Sequence, residues 1–156
     1  MKSKHLILCL FLVLTLSCNN NPKKDTPTAD ISNNQTNHLK GTWELIGFYN
    51  YKDNKVVDSF KTNPEFRQLK MYTDTKVMWC KHRAADSSEW FGYGTYDYDG
   101  NQLTEVLDFG SEIMDKVIAE KKQFRFDLEL DSNRFKQIEL DEDGNRIYSE
   151  NYKRVE

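Results

Sequence analysis

Gly41-Thr42-Trp43-Glu44-Leu45-Ile46-Gly47-Phe48-Tyr49-Asn50-Tyr51 is the first strand-like run in the chain. Trp43, Leu45, Gly47, Tyr49 and Tyr51 alternate with Thr42, Glu44, Ile46, Phe48 and Asn50. A two-residue period places each set on one face of a strand. Both sets contain apolar residues, so the strand is expected to be covered on both sides at one end. Just before it, Thr36-Asn37-His38-Leu39-Lys40 suits a single helical turn, with Thr36 or Asn37 as cap.

Seven more strand patterns follow, separated by short polar turns. They are Phe66–Tyr72, with Leu69 and Met71 on one face, Lys76–His82, Trp90–Tyr98, Gln102–Phe109, Gln123–Leu130, Arg134–Leu140 and Arg146–Arg154. Asp53-Asn54 and Asp99-Gly100-Asn101 carry hairpin-turn chemistry, and Lys55–Phe60 could add a short hairpin edge. Residues 110–122 fit either a short amphipathic helix, through Ile113, Met114, Val117 and Ile118, or an edge strand at Lys116–Ala119. Gly92 and Gly94 share a face with Trp90, Tyr96 and Tyr98, where strand glycines mark bends or make room for large neighbours. A meander of eight strands leaves two exposed edges unless it closes. Closure gives an all-β, up-and-down antiparallel barrel able to hold side chains or one small ligand. The alternative is a two-sheet sandwich.

The 156 residues suffice for one domain. The net charge is -3, and the leader holds only basic residues, so the remainder is more acidic still. Nothing resembles the basic face that nucleic acid requires. Three cysteines lie in three contexts: Cys9 in an apolar leader, Cys18 at its end and Cys80 alone in the folded part. No disulfide within the domain is possible.

Residues 1–17 read as a signal peptide. Lys2 and Lys4 precede an apolar run, Leu6–Leu16, too short to span a bilayer comfortably, which takes about 20 residues. Residues 18–37 are polar and suit a flexible tether, and 38–156 form the barrel domain. Ser17-Cys18 resembles a bacterial lipoprotein signal, which implies lipidation of Cys18. Leu14 stands one place earlier than the usual leucine, and Thr15 and Ser17 would also serve ordinary signal peptidase. The loose motif and the asparagine-rich start resemble lipoproteins of the Bacteroidota. Asn19 after the cysteine then implies the outer membrane, with contact to membrane through the anchor only.

Gly41-x-Trp43 resembles the start of the first strand in lipocalins, which also follows a short helical turn. Lipocalins place a basic residue of the last strand over that tryptophan, and Arg154 is the counterpart. Glu89–Tyr96 and Asn101–Glu105 also resemble small lipocalin-like lipoproteins of Bacteroidota. The resemblance covers about 38–156 and implies barrel closure by Gly41, Trp43 and Arg154. The chain departs from lipocalins in its lack of a disulfide and its short first connection.

The candidate ligand-binding residues are Tyr49, Tyr72, Trp90, Tyr93, Tyr152 and Arg154. The aromatics, with Trp79 and Tyr96, could line a cavity for an apolar ligand or fill a solid core. Tyr148, Glu150, Tyr152 and Arg154 share a face. If it points inward, Arg154 and Tyr152 could hold a carboxylate, or Arg154 could pair with Glu150. Met78, Cys80 and His82 alternate on one face and together would suit copper or haem iron, but they read better as ordinary strand residues. Nucleophile, base and phosphate-loop patterns are missing, so neither catalysis nor a cofactor or metal is expected. The expected role is binding a small apolar or amphipathic molecule. The rival is a solid barrel acting as an envelope interaction module with a protein partner.

Overall fold

The computed structural model describes residues 38–85 and 88–156. Cys18, the leader, the tether and the cap residues Thr36 and Asn37 lie outside them. The strands are β1 (Gly41–Lys52), β2 (Lys55–Phe60), β3 (Phe66–Tyr72), β4 (Lys76–Arg83), β5 (Trp90–Tyr98), β6 (Gln102–Gly110), β7 (Gln123–Leu130), β8 (Arg134–Leu140) and β9 (Arg146–Arg154). A helix, α1 (Glu112–Glu120), lies between β6 and β7.

Every neighbouring pair is antiparallel, and β1 pairs with β9, so β1 and β3–β9 form a closed ring of eight strands. Closure leaves no edge in the ring itself. The short hairpin edge expected at Lys55–Phe60 is β2. It pairs with the second half of β1, while β3 pairs with the first half. Asp53 and Asn54 make the turn with positive φ, as a type I′ hairpin requires.

Residues 110–122 resolve in favour of the helix. Met114 is buried and Ile118 packs on the core, so the four-residue apolar spacing prevails over the strand reading.

The register divides the interior into layers. At the end where β1 starts, Trp43, Leu45, Tyr72, Tyr98, Leu103, Leu128, Phe135 and Tyr152 are buried together with Leu39 of the helical turn. Tyr72, Gln68 and Lys70 are the buried face of β3. Leu69 and Met71 therefore turn outward, opposite to what their hydrophobicity suggests. Above the apolar layer lies a polar one of Gln68, Lys70, Glu105, Gln137 and Glu150, each at most 7% exposed. Above that, at the opposite end, are Trp90, α1, Phe124 and Tyr148.

β1 does not keep one face throughout. Leu45 pairs with Tyr152 but Gly47 with Asn151, so β1 bulges at Ile46. A one-residue slip exchanges the faces. Beyond it Phe48 lies opposite Glu150 and stacks on Tyr148 at 5.2 Å. Tyr49 moves to the face of Ser149, and Tyr51 Oη is 3.2 Å from Ser149 Oγ.

Candidate functional site

The apolar end is closed by the residues expected to close it. Arg154 stacks on the Trp43 ring at 4.0 Å. Its guanidinium donates to Lys40 O at 2.6 Å, to Ser132 O at 2.8 Å and to His38 O. Trp43 Nε1 donates to Leu39 O at 2.7 Å, which ties the helical turn across the opening. Gly41 has φ +134°, and a Cβ there would strike Arg154 and Glu156. The Gly-x-Trp spacing thus has a steric cause: the backbone must pass beneath the guanidinium. Arg154 does not pair with Glu150 and, like Tyr152, is not among the residues that line the cavity of the opposite half.

The opposite half contains a cavity of about 240 Å³. Its walls include Trp79, Trp90, Met114 and Phe124, and its floor is the polar layer. Trp79 sits against Gly92, where a Cβ would lie 2.9 Å from the indole. The strand glycine therefore makes room for a wall of the cavity, as its pattern suggested.

The floor has two halves of different character. In the first, Lys70 Nζ donates to Glu105 Oε1 at 2.7 Å and to Gln137 Oε1 at 2.6 Å, and Tyr72 Oη donates to the same Glu105 oxygen at 2.6 Å. Lys70 also lies 5.8 to 5.9 Å from the rings of Tyr72, Phe126 and Tyr152. Ions so deeply buried need this density of partners to offset lost hydration. In the second half, Tyr152 Oη donates to Glu150 Oε2 at 2.7 Å and accepts from Gln68 Nε2 at 2.6 Å. Burial first, then the neighbouring carboxylates, push the Tyr72 and Tyr152 hydroxyls well above the usual tyrosine range. Both remain proton donors to those carboxylates. Gln68 Oε1 is buried with no hydrogen-bond partner.

At the rim, Lys81 Nζ lies 5.5 Å from the Trp79 ring, 5.8 Å from the Trp90 ring and 4.0 Å from Glu150 Oε1.

Of the ligand-binding candidates, only Trp90 lines the cavity. Tyr72 and Tyr152 support the floor from below. Tyr49 is turned away by the β1 bulge. Tyr93 lies on the outer face opposite Met78, against Phe109 at 5.2 Å. Met78, Cys80 and His82 share that outer face. Trp79, one of the aromatics expected to be able to line a cavity, does so, and the residues that sequence reading missed are Gln68, Lys70, Lys81 and Glu105. Their only signal was parity: Gln68 and Lys70 precede Tyr72 by four and two residues.

No family model matches the sequence, and no curated protein matches it significantly. A crystal structure of a lipocalin-like protein from Bacteroides uniformis superposes with TM-score 0.51 at 14% identity, covering 76% of this chain and 99% of that one. The barrel is lipocalin-like in fold. An uncharacterized protein from Bacteroides eggerthii superposes with TM-score 0.49 at 13% identity, covering 75% and 99%. The likeness to the Bacteroides uniformis protein concerns the barrel fold alone.

Proposed function

We propose that this lipocalin-like protein is a lipid-anchored envelope protein that binds a small amphipathic molecule in its barrel, without catalysis. The observation that carries the reading is the cavity itself. It joins an aromatic wall to a buried polar floor, and its 240 Å³ sits just below the usual range for small-molecule sites, about 300–1,000 Å³. A purely apolar ligand would leave the floor unpaired, which disfavours it. Cys18, at the end of the apolar leader, would carry the acyl chains and hold the barrel at the outer membrane.

The test is native mass spectrometry of the full-length protein taken from membranes. A bound small molecule released on unfolding supports the reading. Protein that is empty, and that takes up no amphipathic probe, removes it. Cys18→Ser should move the protein out of the membrane fraction.

One observation favours the rival interaction module. Met71, Met78, Tyr93 and Phe109 form a row across the outer face of β3–β6, with Met71 and Met78 each 39% exposed and Phe109 53%. A continuous exposed apolar row suits a protein partner. Phe109→Ser would weaken that partner's binding and leave the cavity unaffected.

A further inference from the structure

The two halves of the cavity floor differ in what they leave unsatisfied. Glu105 Oε1 receives an ammonium and a hydroxyl within 2.7 Å. Glu150 has no ammonium nearer than that of Lys81, 4.0 Å from Oε1, and is held by neutral donors instead, Tyr152 Oη at 2.7 Å and the Gln68 amide at 3.3 and 3.4 Å. Gln68 Oε1 receives nothing, though Gln68 is 2% exposed. Buried acceptors without donors are uncommon and call for an explanation. The floor atom left with no partner is an acceptor, and the Glu150 carboxylate beside it has no close cation, so a cationic donor suits this half of the floor.

The two acceptors lie close together. Gln68 Nε2 is 3.4 Å from Glu150 Oε1, and the Gln68 oxygen shares a carbon with that nitrogen. The terminal torsion of glutamine is broad, so one donor nitrogen can reach both oxygens. Above them the walls are the indoles of Trp79 and Trp90, surfaces that attract a cation. Lys81 already shows this: its ammonium sits over both indoles and leans toward Glu150. Its side chain is 28% exposed, so it can swing to solvent and give up the place.

We propose that the cavity takes a small amine, with its protonated nitrogen on Glu150 and Gln68 and its apolar body between Trp79, Trp90, Met114 and Phe124. This rests on the barrel being a binding site, and names the ligand class. An acid would set its negative oxygens against Glu150 and the Gln68 carbonyl, and would leave both unsatisfied.

The test is calorimetric titration of the full-length protein with tryptamine, 3-methylindole and indole-3-acetate at pH 7. The three probes share an indole and differ in the charge of the side arm. Tryptamine should bind at least about tenfold tighter than indole-3-acetate, with 3-methylindole between them, a gap comparable to one charge-assisted hydrogen bond. Glu150→Gln should reduce tryptamine affinity about tenfold and leave 3-methylindole affinity unchanged. If 3-methylindole binds and the acid equals or exceeds the amine, the amine assignment fails while the binding barrel stands. If none of the three binds, both fail. Tryptamine binding that is unaffected by Glu150→Gln, in a variant with wild-type thermal unfolding, overturns the role of Glu150. The ranking on the wild-type protein decides the matter even if the variant does not fold.

Discussion

The two ends of the barrel use similar side chains, aromatic rings with a cation on them, to opposite effect. At the closed end Arg154 lies flat on Trp43 at 4.0 Å, and its N–H groups are taken up by backbone carbonyls. At the open end Lys81 lies more than 5 Å from two indoles, and its ion pair is at the 4.0 Å limit. A planar guanidinium offers five donors in a fixed fork, whereas an ammonium is a mobile point charge. One end is locked by its cation. The other holds its cation loosely, at the 4.0 Å limit of an ion pair. Between the ends, the polar layer repeats the contrast at close quarters, with the Glu105 carboxylate 2.7 Å from an ammonium and that of Glu150 4.0 Å from its nearest one.

Replacing residues of the closed end and of the Lys70–Glu105 ion pair should have the largest effects. Trp43→Ala should destabilise by about 3–5 kcal/mol, through the cavity it leaves in a fully buried site. Denaturant unfolding measures this. Glu105→Ala should cost a similar amount, about 3–5 kcal/mol, because it leaves the Lys70 charge buried without its ion-pair partner. The double replacement Lys70→Met with Glu105→Leu should recover most of that loss. If it does not, the pair contributes net stability and is more than a compensated burial of charge.

Arg154→Ala should cost about 2 kcal/mol, for the stacking and the carbonyl hydrogen bonds. Arg154→Lys should recover less than half, since an ammonium lacks the fork. The open end should respond the other way. Trp90→Ala should cost at most about 1.5 kcal/mol, being partly exposed. It should lower the affinity of an indole probe about tenfold. A large stability loss there, or unchanged probe binding, would show that the two ends are alike after all.

The smallest effects are those of pH, and they separate the interior from the turns. Burial raises the Tyr96 hydroxyl to about 12, and burial with the neighbouring carboxylates raises those of Tyr72 and Tyr152 well above the usual tyrosine range. An unfolded tyrosine ionises near 10. The stability these groups contribute is complete below about pH 10 and is lost as pH rises through the folded values. At the turns, backbone N–H groups lower the carboxyls of Asp99, Asp131 and Asp141. Their contribution is present above the unfolded aspartate value, about 3.9, and is lost as pH falls through the depressed folded values. Urea midpoints followed across pH should fall at both extremes. Asp131→Asn should flatten only the acid limb, and Tyr96→Phe only the alkaline one.

Most of the strands could be read from the chain because each carries its own two-residue period and its own turn. Asp99, Asp131 and Asp141 each accept hydrogen bonds from backbone N–H groups two to four residues on, so those turns are local. The closure of the barrel was legible too, since Gly41, Trp43 and Arg154 form a spaced signature with a steric cause. The cavity lining was not. On β3 the apolar residues Leu69 and Met71 point out while Gln68 and Lys70 point in, the reverse of what hydrophobicity predicts. On β1 a single bulge at Ile46 turned Tyr49 away.

By itself, then, the sequence determined the strands, their turns and the plugged end, because those depend on contacts between neighbours and on one short motif. Tertiary structure alone decided which face of β3 is inside and where the hollow lies. Lys70 is tolerable in the interior only because Glu105 and Gln137, 35 and 67 residues away, meet it there. A buried charge is stabilised by partners from distant strands, and the pattern along its own strand cannot contain them.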